Sequence, residues 1–252
     1  MMAQIETIVE EELSPPPLHD NERLTWMNNW SDSLWQLKRE MPIKIRLSTE
    51  IAEAIVNRGY EGAWSPLLES LQNEISGHLK HRGMFVRTNR RSPKDYTEGK
   101  SLYGEEKIVD ALCSSMRVVD DLCYLMMHKQ SIYLYLFNYY PEIQERELRC
   151  FVKNHKLIGI TQYEGTKIKG FPEDDPEAYI SRCKYLFKLI EPRVNLDSFV
   201  FDCWMSGSGD NLKANFLEIN PYGMSDPCFF KSYDEIEERG GFAYQKTTIL
   251  DF

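Results

Sequence analysis

The sequence predicts an α+β fold, and three observations carry that prediction. The first half is dominated by apolar residues at helical spacing. The second half holds two strand–turn–strand runs joined by short polar turns. Helices and strands do not alternate one by one, which separates the chain from a doubly wound parallel sheet. At 252 residues it has room for one large domain or two small ones.

The elements follow in order. Residues 1–20, MMAQIETIVEEELSPPPLHD, read as an acidic mobile tail that runs through Pro15-Pro16-Pro17. The tail has no basic stretch before an apolar core, so a secretory signal is not expected. Trp26, Trp30, Leu34 and Leu37 predict an amphipathic helix over 25–39. Ser48-Thr49-Glu50 opens a second helix with Gly59 as its stop, and Ser65-Pro66 opens a third that reaches Lys80. GMFVRT (83–88) is a strand running into a basic loop. Ile108, Leu112, Met116, Val119, Leu122 and Met126 predict one long helix over 105–128. SIYLYLF (131–137) is a strand. ELRCFVK (147–153) and KLIGITQY (156–163) form a hairpin about Asn154-His155. A helix covers 176–191. FVFDCWM (199–205), GSGDN and LKANFLEIN (212–220) make a second hairpin.

Composition excludes several classes. The net charge of -9 argues against wrapping nucleic acid by bulk charge, so an RNA partner is not favoured. The six cysteines show no zinc-site spacing and read as reduced, packed thiols. The longest apolar run, IYLYLF, is too short to span a bilayer. A soluble cytoplasmic protein is expected, with no membrane partner.

The second hairpin carries the chemistry. Symmetric pairing about Asp210 sets Asp202 opposite Glu218 and Trp204 opposite Phe216. Strand alternation puts Asn220 on the face of Glu218. Facing carboxylates repel and are costly to bury among Phe199, Val200, Phe201 and Ile219. Mg²⁺ held by Asp202, Glu218 and Asn220 with phosphate oxygens resolves that conflict. A solvated sheet end is the alternative, and the residues alone leave both open.

RTNRRSPKD (87–95) places Arg87, Arg90, Arg91 and Lys94 in a turn-rich loop after a strand. That suits polyphosphate, as it also suits a solvated surface loop. Glu147 and Arg149 share a strand face, which leaves an ion pair and a phosphate clamp both open. No P-loop or dinucleotide-binding glycine motif is present. The stretch YLYLFNYYP reads as core before it reads as a stacking platform.

RTNRRSPKD, ELRCFVKNHKLIGITQ, FVFD and LEINPYG together resemble the cell division cycle protein 123 family, over about residues 83 to 230. RCFVKNHKLIGITQ is the most specific block. The resemblance implies an ATP-grasp-like α+β fold over 21–252. Its N-terminal helical part and first lobe would span 21–133 and its C-terminal lobe 134–252, with ATP held between them and Mg²⁺ bridging the phosphates. It implies metal ligands at Asp202, Glu218 and Asn220, Glu218 standing where the family commonly has Asp. It implies ATP contacts at Arg87, Asn89, Ser92, Lys94 and Arg149, and at Asn138 and Tyr139 along the adenine pocket. Arg87 replaces a family Lys, and Phe137-Asn138-Tyr139 replaces a basic, Trp-containing hinge. Tyr163-Glu164-Gly165 replaces an Arg-Asp-Tyr run. The family role implied is nucleotide-dependent assembly of a translation initiation factor 2 subunit. Two alternatives remain. One is an ATP-dependent ligase activating a carboxylate or an RNA end, with Lys167 and Lys169 facing the acceptor. The other is a non-catalytic interaction protein.

Overall fold

The computed structural model describes residues 18–62, 64–79, 82–163 and 176–244. Residues 1–17 of the tail expected over 1–20, and the loop holding Glu164, Lys167 and Lys169, lie outside them, while Asp20 already begins a helix. The chain divides into two compact units. One is built on Ile43–Leu136, the other on Asn21–Pro42 and the chain from Phe137 onward.

The segment 21–42 holds α1 (Asp20–Thr25) and α2 (Asp32–Trp35) around a single 3₁₀ turn, not the continuous helix expected over 25–39. Trp26 and Trp30 are both extended, which breaks the chain twice. Side chains take over the backbone's bonds there. Asn29 donates to the Arg23 carbonyl (2.7 Å) and the Trp30 indole to the Thr25 carbonyl (2.9 Å). Trp26, Met27, Trp30, Leu34 and Trp35 are all buried, while Asn29, Ser31, Asp32, Ser33 and Gln36 are exposed, so a broken chain satisfies the same apolar spacing that predicts a helix.

The first unit opens with β1 (Ile43–Leu47), a strand the sequence reading passed over, although IKIRL alternates cleanly. The helix α3 (Thr49–Glu61) starts where expected, with the Ser48 hydroxyl accepting from the Ile51 amide. It stops at Gly62 (φ 72°), not at Gly59. Gly59 lies inside the helix, where a Cβ would sit 2.7 Å from the Cys113 carbonyl oxygen and glycine is what fits. There follow α4 (Pro66–Ser76), β2 (Met84–Arg87) and the single turn α5 (Lys94–Thr97). The long helix expected over 105–128 is two helices, α6 (Glu105–Ser114) and α7 (Met116–Met127). Ser115 is extended between them. Its hydroxyl accepts from the Val118 amide and donates to Asp95 (2.5 Å). β3 (Ile132–Asn138) pairs antiparallel with β1, giving a three-stranded sheet of order β1-β3-β2. The four longer helices α3, α4, α6 and α7 pack on one another, burying Leu68, Leu71, Ile108, Leu112, Val119 and Leu122.

The second unit continues with α8 (Pro141–Glu145), β4 (Glu147–Lys153), β5 (Lys156–Gln162) and α9 (Pro176–Ile190). Next come β6 (Phe199–Ser206), β7 (Lys213–Pro221), α10 (Tyr233–Arg239) and β8 (Gly241–Ala243). The sheet order is β7-β6-β4-β5-β8, antiparallel except for the β5–β8 pair. Cys150, Phe201 and Cys203 face α9. Phe151 and Val200 face the other way and pack with Phe230 and Ile236. The expected hairpin register holds from Phe199↔Pro221 to Asp202↔Glu218. It then slips by one: a bulge sets Phe216 opposite Cys203 and Asn215 opposite Trp204. The extra residue is Leu217, and its carbonyl accepts from Lys38 Nζ (2.7 Å). That bond and the Trp30–Phe216 ring contact (5.4 Å) join the 21–42 segment to this sheet. Among the described residues no helix is long and apolar enough to cross a membrane.

Candidate functional site

One register level of the larger sheet collects the charged groups. Thr161, Arg149, Asp202 and Glu218 lie opposite one another on β5, β4, β6 and β7. Asp202 is fully buried and Arg149 nearly so, while Glu218 and Asn220 are half-buried. Arg149 clamps Asp202 with a two-toothed fork, Nε to Oδ1 at 2.8 Å and Nη2 to Oδ2 at 2.9 Å. Its Nη1 donates to the Asp226 carbonyl (3.0 Å), and its guanidinium lies 4.9 Å from the Tyr163 ring centre. Burial works against the Arg149 charge, but Asp202 beside it holds the guanidinium protonated well above its ordinary range.

Asn220 Nδ2 donates to Asp202 Oδ2 (2.9 Å). The sequence pattern therefore brings Asp202, Glu218 and Asn220 together as expected. It did not foresee that Arg149 would be what answers the buried charge of Asp202. Pairing β4 against β6 was the missing step, since Arg149 stands directly opposite Asp202.

This arrangement bears on whether a hard cation fits. A carboxylate offers about four acceptor positions, and three of those on Asp202 are taken by Arg149 and Asn220. Arg149 neutralises Asp202 within the row. An amide that turns its nitrogen to Asp202 turns its oxygen the other way. Glu218, the Asn220 amide oxygen and the remaining Asp202 position are all oxygen donors, the ligand type Mg²⁺ takes alongside phosphate. The donor chemistry fits.

The basic loop belongs to the first unit and is braced from within. The Thr88 amide donates to the Arg91 carbonyl (2.8 Å) and Arg87 Nη2 to the Arg90 carbonyl (2.7 Å). Asn89 uses both ends of its amide on the protein: Nδ2 donates to the Ser131 carbonyl (2.7 Å) and Oδ1 accepts from the Tyr133 amide (2.8 Å). Asp121 of α7 is buried beneath the loop, accepts from the Thr88 hydroxyl and pairs with Arg90 (3.1 Å). Burial pushes its carboxyl up, against the pull of Arg90 and Thr88. Sequence reading missed Asp121. A carboxylate at a core-facing step of the pattern Val118, Leu122, Leu125 was the available signal. Ser92 is buried, Lys94 half-buried at the start of α5, and Arg91 exposed.

At the end of β3, Asn138 gives its backbone amide (2.9 Å) and its side-chain amide (2.7 Å) to Glu40, which also accepts from the Tyr140 hydroxyl (3.0 Å). Tyr139 is half-buried beside this cluster.

The small and large sheets, each with its own helices, define an α+β protein with an acid–amide row across its larger, mostly antiparallel sheet. A sequence model of the D123 family matches residues 56–249, and the chain belongs to that family. Its fold is that of Cdc123 from Schizosaccharomyces pombe. A C-terminally truncated form of that protein aligns with a TM-score of 0.71 at 20% identity, covering 92% of this chain and all of that one. A further Cdc123 structure from that organism aligns with a TM-score of 0.69 at 20% identity, covering 91% of this chain and 99% of that one. A translation initiation factor eIF2 assembly protein from Xenopus tropicalis is 30% identical over 91 residues. That match covers 36% of this chain and 26% of the relative's length.

Proposed function

We propose that this protein binds ATP with Mg²⁺ and acts as a nucleotide-dependent assembly factor for a translation initiation factor 2 subunit. The observation that carries the nucleotide reading is the row of Arg149, Asp202 and Glu218 with Asn220. Glu218, the Asn220 amide oxygen and Asp202 hold the cation, and Arg149 fixes Asp202. The cation, when bound, neutralises phosphate charge; the protein's own groups orient it. Arg87, Ser92 and Lys94 are assigned to phosphate, and Asn89 to holding the basic loop in shape. Asn138 and Tyr139 are assigned to the adenine side. Membership of the D123 family and the name carried by the Xenopus relative support the assembly role, and a cytoplasmic location is proposed with it.

The test uses purified translation initiation factor 2 subunits, one at a time, on size-exclusion chromatography with and without ATP and Mg²⁺. One subunit is expected to co-elute, more tightly with nucleotide, with little ATP consumed. ADP or AMP formed in step with an added carboxylate or RNA acceptor would favour the ligase reading instead. Failure of every subunit to co-elute, together with no nucleotide effect, would leave a plain interaction protein.

A further inference from the structure

Three cysteines far apart in the sequence meet inside the larger unit. Cys150 lies on β4, Cys203 on β6 and Cys183 on α9. All three are fully buried and none is in a disulfide. Their sulfurs lie within 4.8 Å of one another, with Cys183 and Cys203 3.8 Å apart. Cys150 pairs with Phe201 and Cys203 with Leu148, so the two strand cysteines are diagonal neighbours on one face. The helix α9 delivers the third. This is the face opposite Arg149 and Asp202, because successive residues of a strand point to opposite sides.

We propose that Cys150, Cys183 and Cys203 form a three-coordinate thiolate site for a soft monovalent cation of the Cu(I) class. A metal–sulfur bond of about 2.3 Å places the three sulfurs of a planar site about 4 Å apart. The separations here are close to that without moving a strand. The donor count selects the ion. A structural zinc site takes four ligands, and among the described residues no fourth His, Cys, Asp or Glu joins the group. Sulfur donors select soft cations over Mg²⁺, so the thiol cluster and the oxygen row on the other face do not compete for one ion. The competing account is that the thiols pack as small apolar groups, and it makes the opposite prediction about retention.

Because the cluster is sealed, the ion is loaded as the chain folds. The full chain is refolded without oxygen in one equivalent of Cu(I), then challenged with a Cu(I)-specific chelator. The expected result is one copper retained per chain, with an X-ray absorption first shell of three sulfurs at about 2.3 Å. Cys183→Ser should lower the retained copper at least tenfold. Cys113→Ser, at a buried thiol outside the cluster, should leave it unchanged. Should Cys183→Ser fail to fold, the wild-type first shell decides alone. Complete loss of copper to the chelator, or a first shell containing nitrogen or oxygen, overturns the proposal.

Discussion

Asp202 is fully buried in the larger sheet, and Arg149 is its counterweight. Removing one partner of a buried pair leaves an uncompensated charge, which costs about 3–5 kcal/mol. Arg149→Met is therefore expected to lower unfolding free energy by about 3 kcal/mol or more, measured by urea denaturation. Adding Asp202→Leu to it should recover much of that loss, since the stranded carboxylate is gone. A double variant as unstable as the single one would contradict the pairing. Asn89 offers a second test. Both ends of its amide are bonded to the protein. Asn89→Ala leaves the Tyr133 amide and the Ser131 carbonyl short of a partner, at about 2 kcal/mol. The same denaturation series measures this, and a change below about 0.5 kcal/mol would show that the loop does not depend on it.

At the scale of elements, close approach and capping decide where helices run. Gly59→Ala puts a methyl 2.7 Å from the Cys113 carbonyl. Alanine is otherwise the better helix former, so propensity and packing pull in opposite directions. The contact is with backbone, which cannot rotate away, and overpacking should win by about 1–3 kcal/mol. A Tm equal to or above wild type would mean that α3 shifts freely past α6. Asp95 caps the start of α7, accepting from the Ser115 hydroxyl (2.5 Å) and the Arg117 amide (3.1 Å). Burial pulls its carboxyl up, but those two bonds and the Arg117 charge hold it below 3.8. A lowered folded-state value means stabilisation that is present above pH 3.8 and lost as pH falls through the folded value. Asp95→Ala should cost about 1 kcal/mol at pH 7. The gap between wild type and variant should close as the pH is taken below 3.8. A gap that stays constant down to that range would show that the charge plays no part in the cap.

At the scale of the whole molecule, the mixture of helices and hairpins was legible because both periods are strong. The central strands of the larger sheet are strongly apolar and end in turn residues, which gave the register from Phe199 to Asp202. What failed had physical causes. Over 25–39 the apolar spacing is helical, but side-chain bonds from Asn29 and Trp30 hold a chain broken at Trp26 and Trp30, which spacing alone does not show. Ser115 interrupts an otherwise continuous helical pattern, because its hydroxyl caps α7 and donates to Asp95. The bulge at Leu217 depends on Lys38, which lies far away in sequence. The metal-type residues could be listed from the strand pattern. Their electrostatics could not, since Arg149 reaches Asp202 only through strand pairing, and Asp121 braces the basic loop from a helix that follows it. The central claim is that the acid–amide row holds Mg²⁺ with ATP, and calorimetric titration tests it most directly. ATP is titrated into wild-type protein and Glu218→Ala, each with Mg²⁺ and with a chelator. Binding that requires Mg²⁺ and weakens at least tenfold in Glu218→Ala is the expected result. Binding indifferent to both Mg²⁺ and Glu218, or no binding by well-folded wild-type protein, would contradict the account.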